Sequence, residues 1–421
     1  MSDETTRESH MPAAAAKPAH SDSSSRIPEL DGLRGLAIVM VLICHYFVPV
    51  GPEHSWFVRS GYLFHIGTNG VDLFFVLSGF LIGGILLKSR NSPAYYRSFY
   101  IRRFHRIFPI YYTWLILFAV LSLLAPLWGP FWAEKFHTVR PMWIYFLFLQ
   151  NFLLSPFFYV FAQAYWLWPM WSLAVEEHFY MVMPFIVRKL QIRHLTYFLV
   201  ALIAFSPVLR AVICELLAGQ PNAVLLWTPC RADQLALGVL LAVIWATPSA
   251  KNWIVSRISY VYWSLGLSGA SILVSEYLFD AQVKYTYALV MAFERSFVGL
   301  FFASLLVVAL TCNESRIARL TRAAFLRRLG RISYCVYIIH LAMKWVASHV
   351  LFHKDPEFTD WHYLFVVALG LSLTWLVAEL SWRFIENPLI HRGHRLTSPV
   401  SAAAAAQPAP SAGVAEGAVA S

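Results

Sequence analysis

The sequence predicts an all-α polytopic membrane protein of about ten transmembrane helices with both termini cytoplasmic. Three observations carry this prediction. Of the 421 residues, 58% are apolar and only 13% charged, against about 45–50% and about 25% in soluble domains. Mean hydropathy is +0.57 and the chain holds sixteen Trp, so its solvent is mostly lipid. Ten helices of about 20 residues use about half the length, which leaves short loops and no room for a large soluble domain. Third, basic charge concentrates in alternate loops. An ordinary soluble enzyme and a polar disordered chain are both excluded.

The elements follow in order. Residues 1–26 are polar and rich in Ala, Ser and Pro, and read as a disordered cytosolic tail. They are not a signal peptide, because no apolar run follows a basic start at the right place. Eleven apolar runs come next, at approximately 33–50, 70–87, 107–127, 141–156, 171–187, 196–213, 232–247, 260–278, 296–311, 332–352 and 362–384. Loop charges decide which of them span. The 88–106 loop carries Lys88, Arg90, Arg97, Arg102, Arg103 and Arg106 with no acid, and the 188–195 loop carries Arg188, Lys189 and Arg193. Both belong on the cytoplasmic side. An even number of crossings must separate them, yet three runs lie between. The shortest and most interrupted, 141–156, is therefore read as an outer-leaflet or re-entrant segment, which leaves ten spans.

The remaining loops test this assignment. The inner loops 88–106, 188–195, 248–259 and 312–331 hold seventeen Lys/Arg and one acid, Glu314. The outer loops 51–69, 128–170, 214–231, 279–295 and 353–361 hold seven basic and eight acidic residues. Most of the net charge of +10 is thus explained by topology, with six basic residues crowded into the 88–106 loop, and nucleic acid is not an expected partner. Residues 393–421 form an Ala/Pro-rich tail expected to be disordered, so the folded unit is 27–392. The five Cys show neither CxxC nor metal-ligand spacing, and no metal site is expected. Cys214 and Cys230 could meet in one outer loop, although small apolar fillers is the favoured reading.

Ionisable groups inside spans are costly, and each needs a reason. In "LDGLRGLAIVMVLICHYF", Arg34 stands at the cytosolic edge and His45 eleven residues on. That is about three turns and about 16 Å, so both lie on nearly the same face. His45 reads either as a histidine hydrogen-bonded at a helix interface or as a general base. In "GVDLFFVLSGFLIGG", Asp72 enters at about the depth of His45, where it either orients the imidazole or caps its helix. Ser78, Gly79, Gly83 and Gly84 suit close helix approach. In "FYIRRFHRIFP", Arg103 and Arg106 are three apart at the cytosolic helix start. Topology alone supplies arginines there, but their clustering with Arg102, His105 and aromatics suits a phosphorylated ligand.

The stretch "WSLAVEEHFYMVMP" sets Ser172, Glu176 and Tyr180 at i, i+4 and i+8, one polar stripe on a buried helix. Glu176 could bind sugar hydroxyls, support a proton relay or hold His45. Arg231 and Asp233 stand together at an outer helix start, and His340 is mid-span and reads as structural. Glu379, Arg383 and Glu386 have the spacing of an internal ion-pair ladder.

Seven stretches in this order resemble the acyltransferase-3 family of membrane acyltransferases: "LDGLRGLAIVMVLICH", "GVDLFFVLSGFLI", "FYIRRFHRIFPIYY", "WSLAVEEHFYMVMP", "RADQLALGVLLA", "GRISYCVYIIH" and the terminal "ENP". They cover roughly residues 27–390. The resemblance implies ten transmembrane helices in the bacterial inner membrane and an acyl-CoA donor, most commonly acetyl-CoA, taken from the cytosol. It also implies an acceptor modified on the outer side, usually an envelope carbohydrate or glycolipid. By motif, Arg34 and His45 match the family's Arg-x10-His, with the histidine catalytic. Arg103 and Arg106 match its Arg-x-x-Arg, expected to hold the coenzyme A phosphates. Glu176 matches the acid of "SLxVE", and His178 stands where the family often has Gln. A C-terminal SGNH-type hydrolase domain, present in some members, is not expected.

The combined expectation is a membrane O-acyltransferase with catalytic His45, Asp72 and Glu176 and donor-binding Arg34, Arg103 and Arg106. It needs no permanently bound cofactor, and its partners are acyl-CoA, the carbohydrate acceptor and the bilayer. The alternative is a proton-coupled transporter or exporter, which intramembrane His, Asp and Glu would also suit. The inner arginine cluster and the missing inverted repeat weigh against it.

Overall fold

The computed structural model describes residues 27–47, 66–137, 141–153, 165–216, 226–280, 287–353 and 361–397. Among the described residues there are helices and turns and no strand. Ten long helices build the bundle: α1 Pro28–Phe47, α2 Gly70–Ser89, α3 Tyr95–Leu124, α4 Met170–Lys189, α5 Ile192–Leu216, α6 Thr228–Ala246, α7 Ile258–Asp280, α8 Tyr287–Thr311, α9 Ala324–Phe352 and α10 Tyr363–Ser381. By length and composition, nine helices among the described residues can cross a membrane. The tenth, α4, is 20 residues long. It falls outside the nine because Glu176, Glu177 and His178 lower its hydropathy. The chain is therefore an all-α, multi-pass membrane protein.

The described part of the 141–156 run, 141–153, breaks into two one-turn helices, Trp143–Phe146 and Gln150–Leu153, each far too short to cross. Between them Phe148 adopts a left-handed φ of 58°, costly for a bulky residue. Its ring stacks on Tyr111 with centroids 4.4 Å apart, which holds it there. The segment is tied to α3 and α4: Tyr111 donates to the Tyr145 carbonyl at 2.8 Å, and Gln150 to the Met170 carbonyl at 2.8 Å.

Two boundaries move. The arginines of the 88–106 loop lie mostly inside α3, which starts at Tyr95, well before its apolar run. Aromatic residues alternate with the arginines there, and Tyr95 and Phe99 are buried, so the first turns have their own packed face. At the other end, the helix Asn387–Leu396 runs past the expected boundary at 392. Its Gly393 lies against His105, and the Thr397 hydroxyl accepts from Arg102 Nε at 2.7 Å. The rest of the two tails expected to be disordered lies outside the described residues.

Glycine sets two close helix crossings. A Cβ on Gly35 would stand 2.0 Å from the Leu326 carbonyl oxygen, and one on Gly330 would stand 1.8 Å from that of Asp31. Only bare backbone lets α1 and α9 approach this closely. Gly79 and Gly238 do the same for α2 and α6, where added Cβ atoms would meet Leu235 O at 2.1 Å and Val76 O at 2.2 Å. Gly84, expected to share that role, has nothing within 4 Å. It faces away from the crossing.

Two of the segments expected to form inner loops, 88–106 and 188–195, meet at one end of the bundle. Arg90 donates to the Leu190 carbonyl, Arg188 to those of Arg90 and Ser92, and Tyr95 to that of Pro184 at 2.9 Å. The 312–331 segment is tied to the start of α1, where Glu29 pairs with Arg322 and Asp31 lies 3.9 Å from Arg331. Cys214 and Cys230 share a small buried cluster with Ile213, and both are free thiols.

Candidate active site

A cavity of about 120 Å³ opens between α1, α2, α3, α4 and α9. Arg34 reaches it from α1, Arg103 and Arg106 from α3, Ser172, Glu176, Glu177 and Tyr180 from α4, and Tyr334 and Tyr337 from α9. Apolar side chains of α2, among them Phe74, Phe75 and Leu81, complete the wall. Arg34 on α1 and the Arg103/Arg106 pair on α3, about seventy residues apart in the chain, converge on one space because α3 starts early enough to carry the pair on helix.

Among the described residues none of these three guanidiniums has a carboxylate within 4.0 Å. Arg34 Nε is buried with no hydrogen-bond partner. Arg103 lies over the rings of Phe99 and Tyr180, 5.9 and 5.5 Å from their centroids, contacts that leave its donors available. Three half-buried guanidiniums that make no direct ion pair and share one cavity offer an anion site, since their forks match phosphate and carboxylate oxygens. Glu176 and Glu177 on the same wall supply nearby negative charge.

The α4 stripe faces the same space. Glu176 Oε1 accepts from Ser78 Oγ at 2.7 Å, and Oε2 accepts from Tyr180 Oη at 2.8 Å. Two hydroxyls thus fix the carboxylate's orientation. Ser172 Oγ donates to the Pro169 carbonyl at 3.2 Å, which leaves it to accept from Tyr337 Oη at 2.7 Å. Glu177, the second of the two adjacent acids and not among the expected site residues, is buried and also lines the cavity.

His45 does not line this cavity. It lies about 16 Å up α1 from Arg34, against α9. Its Nδ1 is 3.0 Å from the Val41 carbonyl oxygen and 3.1 Å from His340 Nε2, with the two rings 4.9 Å apart. The His340 ring in turn is 5.9 Å from that of Tyr337, at the cavity wall. Lys344 Nζ donates to the His45 carbonyl at 2.6 Å. Sequence reasoning took His340 for a structural residue and missed Tyr337 and Lys344. The available signal was their spacing: positions 337, 340 and 344 share one helix face.

Asp72 is not the partner of His45. Its carboxylate is fully buried and meets Arg231 at 3.0 Å, Arg295 at 3.3 Å and the Gln234 amide. Burying a carboxylate requires paired charge, and α6 and α8 supply it. Asn69 also accepts from Arg295 at 2.8 Å. Arg231 and Asp233, adjacent at the start of α6, turn to different partners. Asp233 pairs with Arg210 at 2.9 Å and accepts from Ser296 at 2.6 Å. The expected ion-pair ladder on the last span is absent among the described residues. Glu379 pairs with Arg328 of α9, Glu386 accepts from Ser381 at 3.1 Å, and Arg383 lies over Phe384. The π-helical turn Trp382–Glu386 breaks the i, i+4 register the ladder needs.

The Acyltransferase domain family matches residues 27–379, nearly the whole bundle. The chain belongs to the acyltransferase-3 family. Within it, this acyltransferase-3 chain is 30% identical over 386 residues to YrhL of Bacillus subtilis, covering 88% of the chain and 56% of the relative. It is 30% identical over 388 residues to the peptidoglycan O-acetyltransferase OatA of Listeria monocytogenes (88% and 57%). With the O-acetyltransferase OatA of Staphylococcus aureus the identity is 26% over 394 residues (88% and 58%). The acyltransferase-3 chain thus spans a little over half the length of these curated relatives. No solved structure matches it.

Proposed function

We propose that the chain is an inner-membrane O-acyltransferase that moves an acyl group, acetyl in the simplest case, from acyl-CoA to a hydroxyl of an envelope carbohydrate. The observation that supports this best is the convergence of Arg34, Arg103 and Arg106, none in a direct ion pair among the described residues, on a cavity whose wall residue Tyr337 lies beside the paired imidazoles of His340 and His45. In this reading the basic end faces the cytoplasm, and the arginines hold the coenzyme A phosphates. The thioester reaches along the bundle toward His45. The names of the OatA relatives support a glycan acceptor, peptidoglycan among them.

His45 Nε2 takes the proton of the acceptor hydroxyl as the new C–O bond forms. It returns that proton to the departing sulfur as the C–S bond breaks, so an ester and a free thiol result. Glu176, held by Ser78 and Tyr180, orients the donor arm or the acceptor. Asp72 contributes by pinning α2 to α6 and α8, away from the reacting atoms.

Donor binding is tested by heating the purified chain with acetyl-CoA, since a ligand of the native state raises its melting temperature. A rise in the wild type that disappears in Arg103→Ala/Arg106→Ala supports the reading. A protein indifferent to acetyl-CoA at saturating concentration would contradict it, and would favour the transporter.

A further inference from the structure

We infer that His340 is a positioning residue whose Nε2 fixes His45 in the single tautomer that leaves the His45 Nε2 lone pair open. This rests on the proposed role of His45, but the geometry behind it stands independently.

A carbonyl oxygen only accepts. His340 Nδ1 lies 2.7 Å from the Tyr337 carbonyl oxygen, so Nδ1 carries the hydrogen of a neutral His340 and its Nε2 is a bare lone pair. His45 Nδ1 faces two groups, the Val41 carbonyl at 3.0 Å and that lone pair at 3.1 Å. Both are acceptors, so the His45 hydrogen is on Nδ1 and is shared between them. The opposite assignment sets His340 Nδ1 against the Tyr337 oxygen and His45 Nδ1 against the Val41 oxygen, two lone-pair clashes in place of two hydrogen bonds. A doubly protonated His340 would bury an imidazolium, fully enclosed, in the same cluster as the Lys344 ammonium.

The remaining ring nitrogen, His45 Nε2, has no hydrogen-bond partner among the described residues. Val41 alone would hold the same tautomer in any helix where the ring folds back on its own turn. His340 adds a second acceptor on a different helix, which ties the plane of the His45 ring to α9. Lys344, one turn further along α9, grips the His45 carbonyl at 2.6 Å and keeps the two helices in register at this level. When His45 takes up a proton, its Nδ1–H stays where it is and the His340 lone pair faces the new charge. No proton crosses between the two rings.

The test is ¹⁵N NMR of the full chain labelled in histidine, with His45 assigned by the signals lost in His45→Asn. The wild type should show His45 with hydrogen on Nδ1 and a bare Nε2. His340→Leu, which removes the acceptor, should give a mixture of both tautomers and lower kcat for acetyl transfer by about 100-fold at unchanged donor KM. His340→Gln, whose amide oxygen can accept at the same place, should restore one tautomer and most of kcat. Hydrogen on Nε2 in the wild type overturns the inference. So does His340→Leu with wild-type tautomer and kcat, or His340→Gln with a mixed tautomer. If His340→Leu fails to fold, the wild-type and His340→Gln spectra still decide. Full transfer by a folded His45→Ala would instead remove the proposed role of His45 and leave the tautomer result standing.

Discussion

At the scale of single residues, the site divides into groups that are satisfied and groups that are not. Asp72, Arg210, Asp233 and Glu379 all have partners of opposite charge. Arg34, Arg103 and Arg106 make no direct ion pair among the described residues and share one cavity with Glu176 and Glu177. This contrast predicts different failures. Arg210→Met strands a fully buried Asp233, so it should destabilise the fold by about 3–5 kcal/mol, visible as a lower melting temperature and loss of monodisperse protein. Arg103→Lys should leave the fold intact and still raise donor KM, because an ammonium cannot reproduce the guanidinium fork. A unique wild-type KM for Arg103→Lys would show that the fork does not matter. The sequence disclosed most of the cavity residues through the cost of placing charge in a span. It misled over Asp72, because the cations that neutralise it, Arg231 and Arg295, stand on helices far away in the chain, and only tertiary structure joins them.

At the scale of elements, two glycine crossings decide which side chains meet. The α1–α9 contact aligns the Arg34–His45 face with the face holding Tyr337, His340 and Lys344. Gly79→Ala should therefore lower stability, since its Cβ would stand 2.1 Å from a backbone oxygen that cannot give way without moving the helix. Gly84→Ala should be neutral or slightly stabilising, because nothing lies within 4 Å and alanine is the better helix former by about 1 kcal/mol. Thermal unfolding of both variants checks the pair; equal melting temperatures would show that the crossing tolerates a side chain. Helix number was legible from apolar runs and loop charge, and so was the failure of 141–156 to span. Helix starts were less so. α3 begins at Tyr95 because aromatic side chains give its arginine-rich turns a buried face, a pattern that loop-charge counting treats as loop.

At the scale of the whole molecule, sidedness and function are one question. The loops rich in Lys and Arg gather at the end where Arg34, Arg103 and Arg106 reach the cavity, while His45 stands toward the opposite end. In a cysteine-free background, Asn313→Cys should react with an impermeant maleimide only from the cytoplasmic side, and Glu134→Cys only from outside. Both positions are exposed. Labelling of both from the same side would break the topology on which the donor and acceptor assignments rest.

The measurement that bears most directly on the account is transfer of labelled acetyl from acetyl-CoA to a glycan hydroxyl by the full chain in proteoliposomes. The wild type should form a base-labile acetyl ester. Folded His45→Ala should lose at least about 100-fold in rate, and Arg103→Ala/Arg106→Ala should need far more acetyl-CoA for the same rate. Undiminished transfer by folded His45→Ala, or a donor requirement untouched by loss of both arginines, would contradict the account.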